Sequence, residues 1–299
     1  MRTNHGFFAA LLFGCGALAL AGADLPPINT PASQTYFPGK FVWGDLITND
    51  PEGASRFYTG LFGWTTTTIE RTTASRTYPY TVLSLDGRPV AGIVMRSLRT
   101  TDKVHGQWIG FVSVPDVKKA LAATTAAGGH ARGPAKMLPQ KGVQAIIADP
   151  EGAELGVIHS STGDPGEYLP DSGDWVWAQL FAHSTGDEAA FYHAVFGYEA
   201  VADSRNGPSD DQILVSGGYS RASVSRIADA KKPRAAWLLY VRVRDVKATA
   251  ELAVKLGGRV IVPPSDTPSE YWRAVIEDPS GSRIGVVELE NPRAEGKQP

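Results

Sequence analysis

The chain has 299 residues, room for two domains at roughly 150 residues each. Hydrophobic residues make up 42% and charged residues 20%, which excludes a chain disordered by composition. Lys plus Arg is 29 and Asp plus Glu is 31, so no basic excess points to nucleic acid or to an anionic membrane surface. The one cysteine, Cys15, excludes an intramolecular disulfide and a cysteine-based zinc site.

Residues 1–23 read as an export signal. Arg2 is followed by an apolar run from Phe7 to Leu20, and small residues at Ala19, Ala21 and Ala23 suit cleavage before Asp24. The run is shorter than the roughly 20 apolar residues of a membrane span. Cys15 follows Leu12-Phe13-Gly14, which resembles a bacterial lipobox, so Cys15 is the lipidation candidate. Lipidation, plain secretion and an uncleaved anchor all stay open, and each predicts an exported protein of the cell envelope. Residues 24–35 hold Pro26, Pro27 and Pro31 among small polar residues and read as a flexible tether.

The body begins with a strand over 40–48. Asp50-Pro51 then starts a helix, with Asp50 as cap and proline at the first helical position. Ala54, Phe57, Tyr58 and Leu61 recur at helical spacing, and Gly63 ends the run. Strands follow over 65–69 and 80–85, then a hairpin turn at Asp86-Gly87 and a return over 90–95. A strand over 108–114 leads to a helix capped by Asp116 and stopped at Gly128. Strands over 144–147 and 154–159, joined by the turn Asp149-Pro-Glu-Gly152, close the unit.

That unit occurs twice. Phe41-Val-Trp-Gly-Asp-Leu46 matches Trp175-Val-Trp-Ala-Gln-Leu180, an offset of 134 that also carries Phe57-Tyr58 onto Phe191-Tyr192. Trp108 matches Trp237 at an offset of 129, which carries Asp116-Val117 onto Asp245-Val246, Gly128-Gly129 onto Gly257-Gly258 and Asp149-Pro150 onto Asp278-Pro279. In the second copy Thr185-Gly-Asp-Glu188 reads as a capping box. The copies span 36–159 and 174–290, joined by a linker over 160–173 and followed by a polar tail over 291–299.

These ordered motifs resemble the vicinal oxygen chelate superfamily, which includes glyoxalases, bleomycin-resistance proteins and extradiol dioxygenases. The wording Val42-Trp43 and Phe62-Gly63-Trp64 is most similar to its two-module, glyoxalase-like members. The resemblance implies an α+β fold in which two tandem βαβββ modules pair into a cupped mixed sheet around a cavity. It also implies a divalent metal held by the first and last strands of each module. By register those ligand positions fall at Gly44 and Ala178 on the first strands, and at Gly156 and Gly285 on the last. None of the four side chains can donate to a metal, which needs several N or O donors. No metal and no other cofactor is therefore expected. A shift of one residue would bring in Asp45 and Gln179 as donors, but also Leu155 and Ile284.

The expectation is an exported glyoxalase-like protein that binds a small organic molecule between its modules, with Gly44, Gly156, Ala178 and Gly285 lining the cavity. Two alternatives stand beside it: a metal-dependent lyase, isomerase or dioxygenase with an atypical site, and an envelope scaffold with a vestigial cavity. Trp43 and Trp177 are expected beneath the helices. His183, Glu188 and His193 look like a metal trio by composition. Residues five apart on a helix do not share a face, however, which argues against it. No nucleophile elbow, phosphate loop or dinucleotide fingerprint is present.

Overall fold

The computed structural model describes residues 25–72, 77–96, 106–204, 209–227, 234–266 and 272–289. The export signal, Cys15 and the tail lie outside the described residues. Among those described, no helix is long and apolar enough to cross a membrane.

The first repeat runs β1 (Phe41–Thr48), α1 (Pro51–Phe62), β2 (Thr65–Thr72), β3 (Thr77–Leu85), β4 (Arg88–Met95), β5 (Gln107–Ser113), α2 (Val117–Ala126), β6 (His130–Ala131), β7 (Lys136–Leu138), β8 (Gly142–Ala148) and β9 (Glu154–Ser160). The second runs β10 (Trp175–Ala182), α3 (Thr185–Phe196), β11 (Glu199–Ala202), β12 (Gln212–Ser216), β13 (Tyr219–Arg226), β14 (Ala236–Val243), α4 (Val246–Lys255), β15 (Arg259–Asp266), β16 (Trp272–Glu277) and β17 (Arg283–Glu288). Asp50 caps α1 by accepting from the Gly53 amide at 2.8 Å, and Gly63 closes it at φ +70°. Asp116 and Asp245 cap α2 and α4. The cap of α3 is Ser184 rather than Thr185, so the expected capping box slips by one residue and Glu188 is released from it.

The α+β class and the two tandem modules are those expected, with a finer division inside each. Every repeat builds its own sheet, in the order β2-β3-β4-β1-β5-β9-β8-β6 with β7 on β8, and β11-β12-β13-β10-β14-β17-β16-β15. In the first sheet β1 is parallel to β4, antiparallel to β5, and β5 is parallel to β9. Each repeat is thus a pair of βαβββ units joined through their first strands, and each has its own concave face.

The first sheet is strongly curled. β3 and β8 lie five strand spacings apart, about 24 Å if the sheet were flat. Yet Lys141, just before β8, places its Nζ 3.3 Å from the Tyr80 hydroxyl of β3. The inside of this cup is a second core. Lys141 is only 1% exposed and lies 3.5 Å from the Asp45 carboxylate. Its ammonium sits 4.5 Å from the Trp43 ring centre, 5.3 Å from Phe111 and 5.5 Å from Tyr80, each within cation–π range. Burial lowers the Lys141 pKa, and the facing Asp45 carboxylate opposes that shift. Leu25 and Ile28 pack against the same cup, so the start of the stretch expected to be a flexible tether is anchored on the core, while residues 30–35 stay exposed. Asn29 fastens it to Thr162 and to the Asp164 carbonyl.

The helices cover the convex faces and meet across the repeats, α1 near α4 and α2 near α3. Here the repeated motifs come together. Trp108 donates to the Tyr58 hydroxyl at 2.8 Å, and Tyr58 donates to Asp278 of the other repeat at 2.9 Å. Trp237 donates to Tyr192 at 2.9 Å, and Tyr192 to Asp149 at 2.8 Å. Phe57 lies against Gly258 and Phe191 against Gly129, where an added Cβ would come within 2.7 Å of the ring. The joint departs from symmetry most at Glu188, a buried carboxyl whose counterpart in the first repeat is Ala54. Glu188 is 1% exposed, with Oε2 lacking a hydrogen-bond partner. Burial, reinforced by the Asp149 charge, pushes its carboxyl up to about 9.

Two outcomes follow. A carboxyl raised in the fold stabilises fully below its unfolded value, and that stability drains away as pH rises to the folded value. Melting curves should therefore show Glu188 lowering stability between about pH 4.5 and 9. Glu188→Gln should flatten that slope and melt higher than the parent at pH 8; an unchanged slope would refute the assignment. Lys141→Met strands a buried carboxylate and should cost about 3–5 kcal/mol in denaturant unfolding. Adding Asp45→Asn to it should restore much of the loss.

Candidate functional site

The four cavity positions expected from the sequence are not brought together. A Cβ at Gly44 would meet Trp175 at 3.1 Å and Trp108 at 3.4 Å, on the helix side of the sheet. Ala178 belongs to the same large core. Gly156 and Gly285 do face the concave sides, but they open no space. A Cβ there would come within 2.2 Å of the Phe111 or Tyr240 ring, which lies on the bare backbone. The cause is a β-bulge. The β1–β5 register shifts between Phe41 and Trp43, and the β10–β14 register between Trp175 and Trp177. A bulge places two successive residues on one face and moves every later side chain across. Trp43, expected beneath a helix, therefore lies in the cup with Ile109, Phe111 and Ile158.

The first-strand residues that face the cups are Asp45 and Gln179. Asp45 Oδ1 accepts from Trp43 Nε1 and from Tyr80 OH, both at 2.7 Å, and Oδ2 faces Lys141. Gln179 accepts from Tyr240 OH at 2.7 Å and donates to Ser225 at 2.8 Å. Beside it Trp177 donates to Ser223 at 3.0 Å. The last strands contribute glycine at the matching places. Among the described residues no cluster of three His, Cys, Asp or Glu side chains could hold a metal ion. One carboxylate already shared with an ammonium and two hydrogen-bond donors does not suit the divalent metal that the fold implies.

The other candidates go elsewhere. His159 stacks on Tyr36 and bonds the Val114 carbonyl through Nδ1 at 3.1 Å. Glu288 accepts from the Val246 amide at the first residue of α4, beside the Asp245 cap. The His183 backbone amide donates to Glu151, His193 bonds the Tyr198 carbonyl, and Glu188 turns into the joint between the repeats.

A cleft of about 250 Å³ lies instead where the bulged starts of β1 and β10 approach each other. Its apolar walls are Trp43, Trp175 and Trp177, with Val90 and Leu239. The linker supplies one side through Pro165, Gly166, Glu167 and Tyr168. Trp175 is held by donating to the Val90 carbonyl at 2.9 Å. Lys40 reaches Glu167 at 3.3 Å and the Pro165 carbonyl at 2.8 Å, and burial lowers its pKa against the pull of Glu167. Arg221 pairs with Glu167 at 2.8 Å, and Arg88 pairs with Asp174. Apolar walls with a few placed polar groups are the usual make-up of a small-molecule site. Sequence reasoning missed the cleft, since its residues come from two strand starts, two hairpins and a linker. The tryptophans beside the strand starts were its visible trace.

Comparison with known proteins agrees with this fold. The Glyoxalase/Bleomycin resistance protein/Dioxygenase superfamily matches residues 40–157, and the Glyoxalase-like domain matches residues 177–287. The anthracycline biosynthesis protein DnrV of Streptomyces peucetius is 30% identical over 265 residues, 85% of this chain and 94% of that protein. The Mn(II)-bound glyoxalase from Novosphingobium aromaticivorans superposes with a TM-score of 0.58 at 12% identity, covering 84% of this chain and 82% of its own. The 2,3-dioxygenase LapB from Pseudomonas sp. KL28 gives 0.56 at 14% identity, over 89% and 96%. With both repeats matched and the paired βαβββ sheets in place, the chain belongs to the glyoxalase, bleomycin-resistance and dioxygenase superfamily, the vicinal oxygen chelate superfamily, as a two-module member.

Proposed function

We propose that this protein is an exported member of its superfamily that binds a small organic molecule between its modules, in the cleft walled by Trp43, Trp175 and Trp177, without a catalytic metal. The observation that carries the reading is the use of the concave faces. The position nearest to a metal ligand, Asp45, is committed to Trp43, Tyr80 and Lys141, and its partner position Gln179 is committed to Tyr240 and Ser225. An open cleft with aromatic walls lies between the repeats instead. A relative named for anthracycline biosynthesis supports a small-molecule role. Export rests on residues 1–23 and on Cys15 as lipid carrier.

Metal analysis of protein purified from its own host decides the first point. Substoichiometric manganese, iron, nickel and zinc are expected; a stoichiometric metal lost together with an activity would establish the enzyme reading instead. In thermal-shift screening a ligand at about 100 times its Kd adds about 2.7 kcal/mol, a shift of several degrees for a chain this size. Trp175→Ala should abolish that shift. A broad library without any stabilising compound would favour a scaffold. Fractionation tests the anchor: Cys15→Ala should move the protein from membrane to soluble periplasm, and an unchanged distribution would refute lipidation.

A further inference from the structure

The cleft carries information about its ligand's charge. Its lining includes three cations, Lys40, Arg88 and Arg221, and two carboxylates, Glu167 and Asp174, a surplus of one positive charge among the lining residues, while Asp164 and Asp171 act on Lys40 and Arg88 from behind the lining. The internal pairings engage both carboxylates, with Glu167 Oε1 ion-paired to Arg221 but making no hydrogen bond. Lys40 and Arg221 share Glu167, while Arg88 takes Asp174. Arg221 is the telling residue. Its side chain is 7% exposed, projects from β13 into the cleft, and stacks over Tyr219 with 4.9 Å to the ring centre. Its Nη1 faces Glu167, but its Nε is buried without any hydrogen-bond partner. A buried guanidinium N–H left unpaired carries a desolvation cost that an incoming acceptor would relieve. The surplus positive charge favours an acceptor that is an anion.

We infer that the cleft takes a compact aromatic monocarboxylate, its ring against the tryptophan walls and its carboxylate on the Nε of Arg221. The inference rests on the proposed role of the cleft and adds the chemical class of its ligand. The volume, about 250 Å³, lies below the roughly 300–1,000 Å³ typical of drug-sized ligands, so the occupant is small. A planar ring suits the half-buried indoles of Trp175 and Trp177, and one carboxylate neutralises the surplus charge of the lining without displacing Glu167.

The test uses the full mature chain and calorimetric titration with benzoate, phenylacetate and 1-naphthoate, each beside its neutral amide. The acids should bind more tightly than the amides by about tenfold, the difference between a charge-assisted and a neutral hydrogen bond. Arg221→Gln should erase the preference. Arg221→Lys keeps the charge but loses the Nε donor, and should weaken the acids by a smaller factor. Indole N–H resonances of Trp175 and Trp177 should shift on titration, which places the ligand in the cleft. If acids and amides bind equally, the anion assignment falls while the cleft remains a binding site. If neither class binds, the proposed role of the cleft falls with it. Should Arg221→Gln fail to fold, the acid-to-amide ratio on the parent protein still decides.

Discussion

The molecule depends on a joint made twice, Trp108–Tyr58–Asp278 and Trp237–Tyr192–Asp149. Each buried tyrosine hydroxyl accepts from an indole of its own repeat and donates to a carboxylate of the other. Burial and the carboxylate together raise both tyrosines well above their ordinary pKa, so each hydroxyl keeps its proton and stays a donor. Removing either tyrosine hydroxyl would leave two buried partners unsatisfied, at about 1–3 kcal/mol each. Because the carboxylate lies in the Asp-Pro turn before the last strand, the joint fixes one sheet's final strand relative to the other repeat's first helix. The aromatic residue before each tyrosine, Phe57 or Phe191, needs bare backbone opposite it, and Gly258 and Gly129 provide it.

This explains what the sequence made legible. The repeat was visible because the joint is made by residue types that stand out, Phe-Tyr, Trp, Gly-Gly and Asp-Pro, and because symmetry requires each of them twice. Caps and turns were legible for local reasons. Asp50, Asp116 and Asp245 accept from helix amides within three residues, and Asp86-Gly87 turns with both φ positive. The site was less legible, since its residues are brought together by curvature and by bulges. A one-residue slip at Phe41 to Trp43 exchanges the faces of Gly44 and Asp45, and hydropathy alone gives no mark of it. Lys141 stands in a loop sequence, Leu138-Pro-Gln-Lys141, that reads as solvated, and only a sheet rolled through some 24 Å of flat width buries it.

The two repeats have diverged inside their cups while keeping the joint. Asp45 and Gln179 are equivalent, as are Trp43 and Trp177, and Phe111 and Tyr240. With a carboxylate the first cup needs a counter-charge, and Lys141 supplies it inside an aromatic cage. With an amide the second cup needs none, and Tyr240 closes the hydrogen bonds instead. In both, glycine on the last strand is what lets the ring of the facing strand lie flat. A glutamate at Gly156 or Gly285 would have to displace that ring, so a side chain at that position and the aromatic filling exclude each other.

That filling also determines where a ligand can go. The first cup is filled by its own lysine and by Leu25 and Ile28, all of them buried. The bulged ends of β1 and β10 lie outside this filling. There the two tryptophans that alternate along the start of β10 are only partly used by the core: Trp175 and Trp177 remain half-buried. The linker must cross the same place to join one sheet to the other, and it carries Glu167 to Lys40 and Arg221. A cleft between repeats with aromatic walls and a carboxylate-anchored rim thus arises from the connection itself. It requires two fused copies, because one wall comes from each strand start and the third from the chain that joins them.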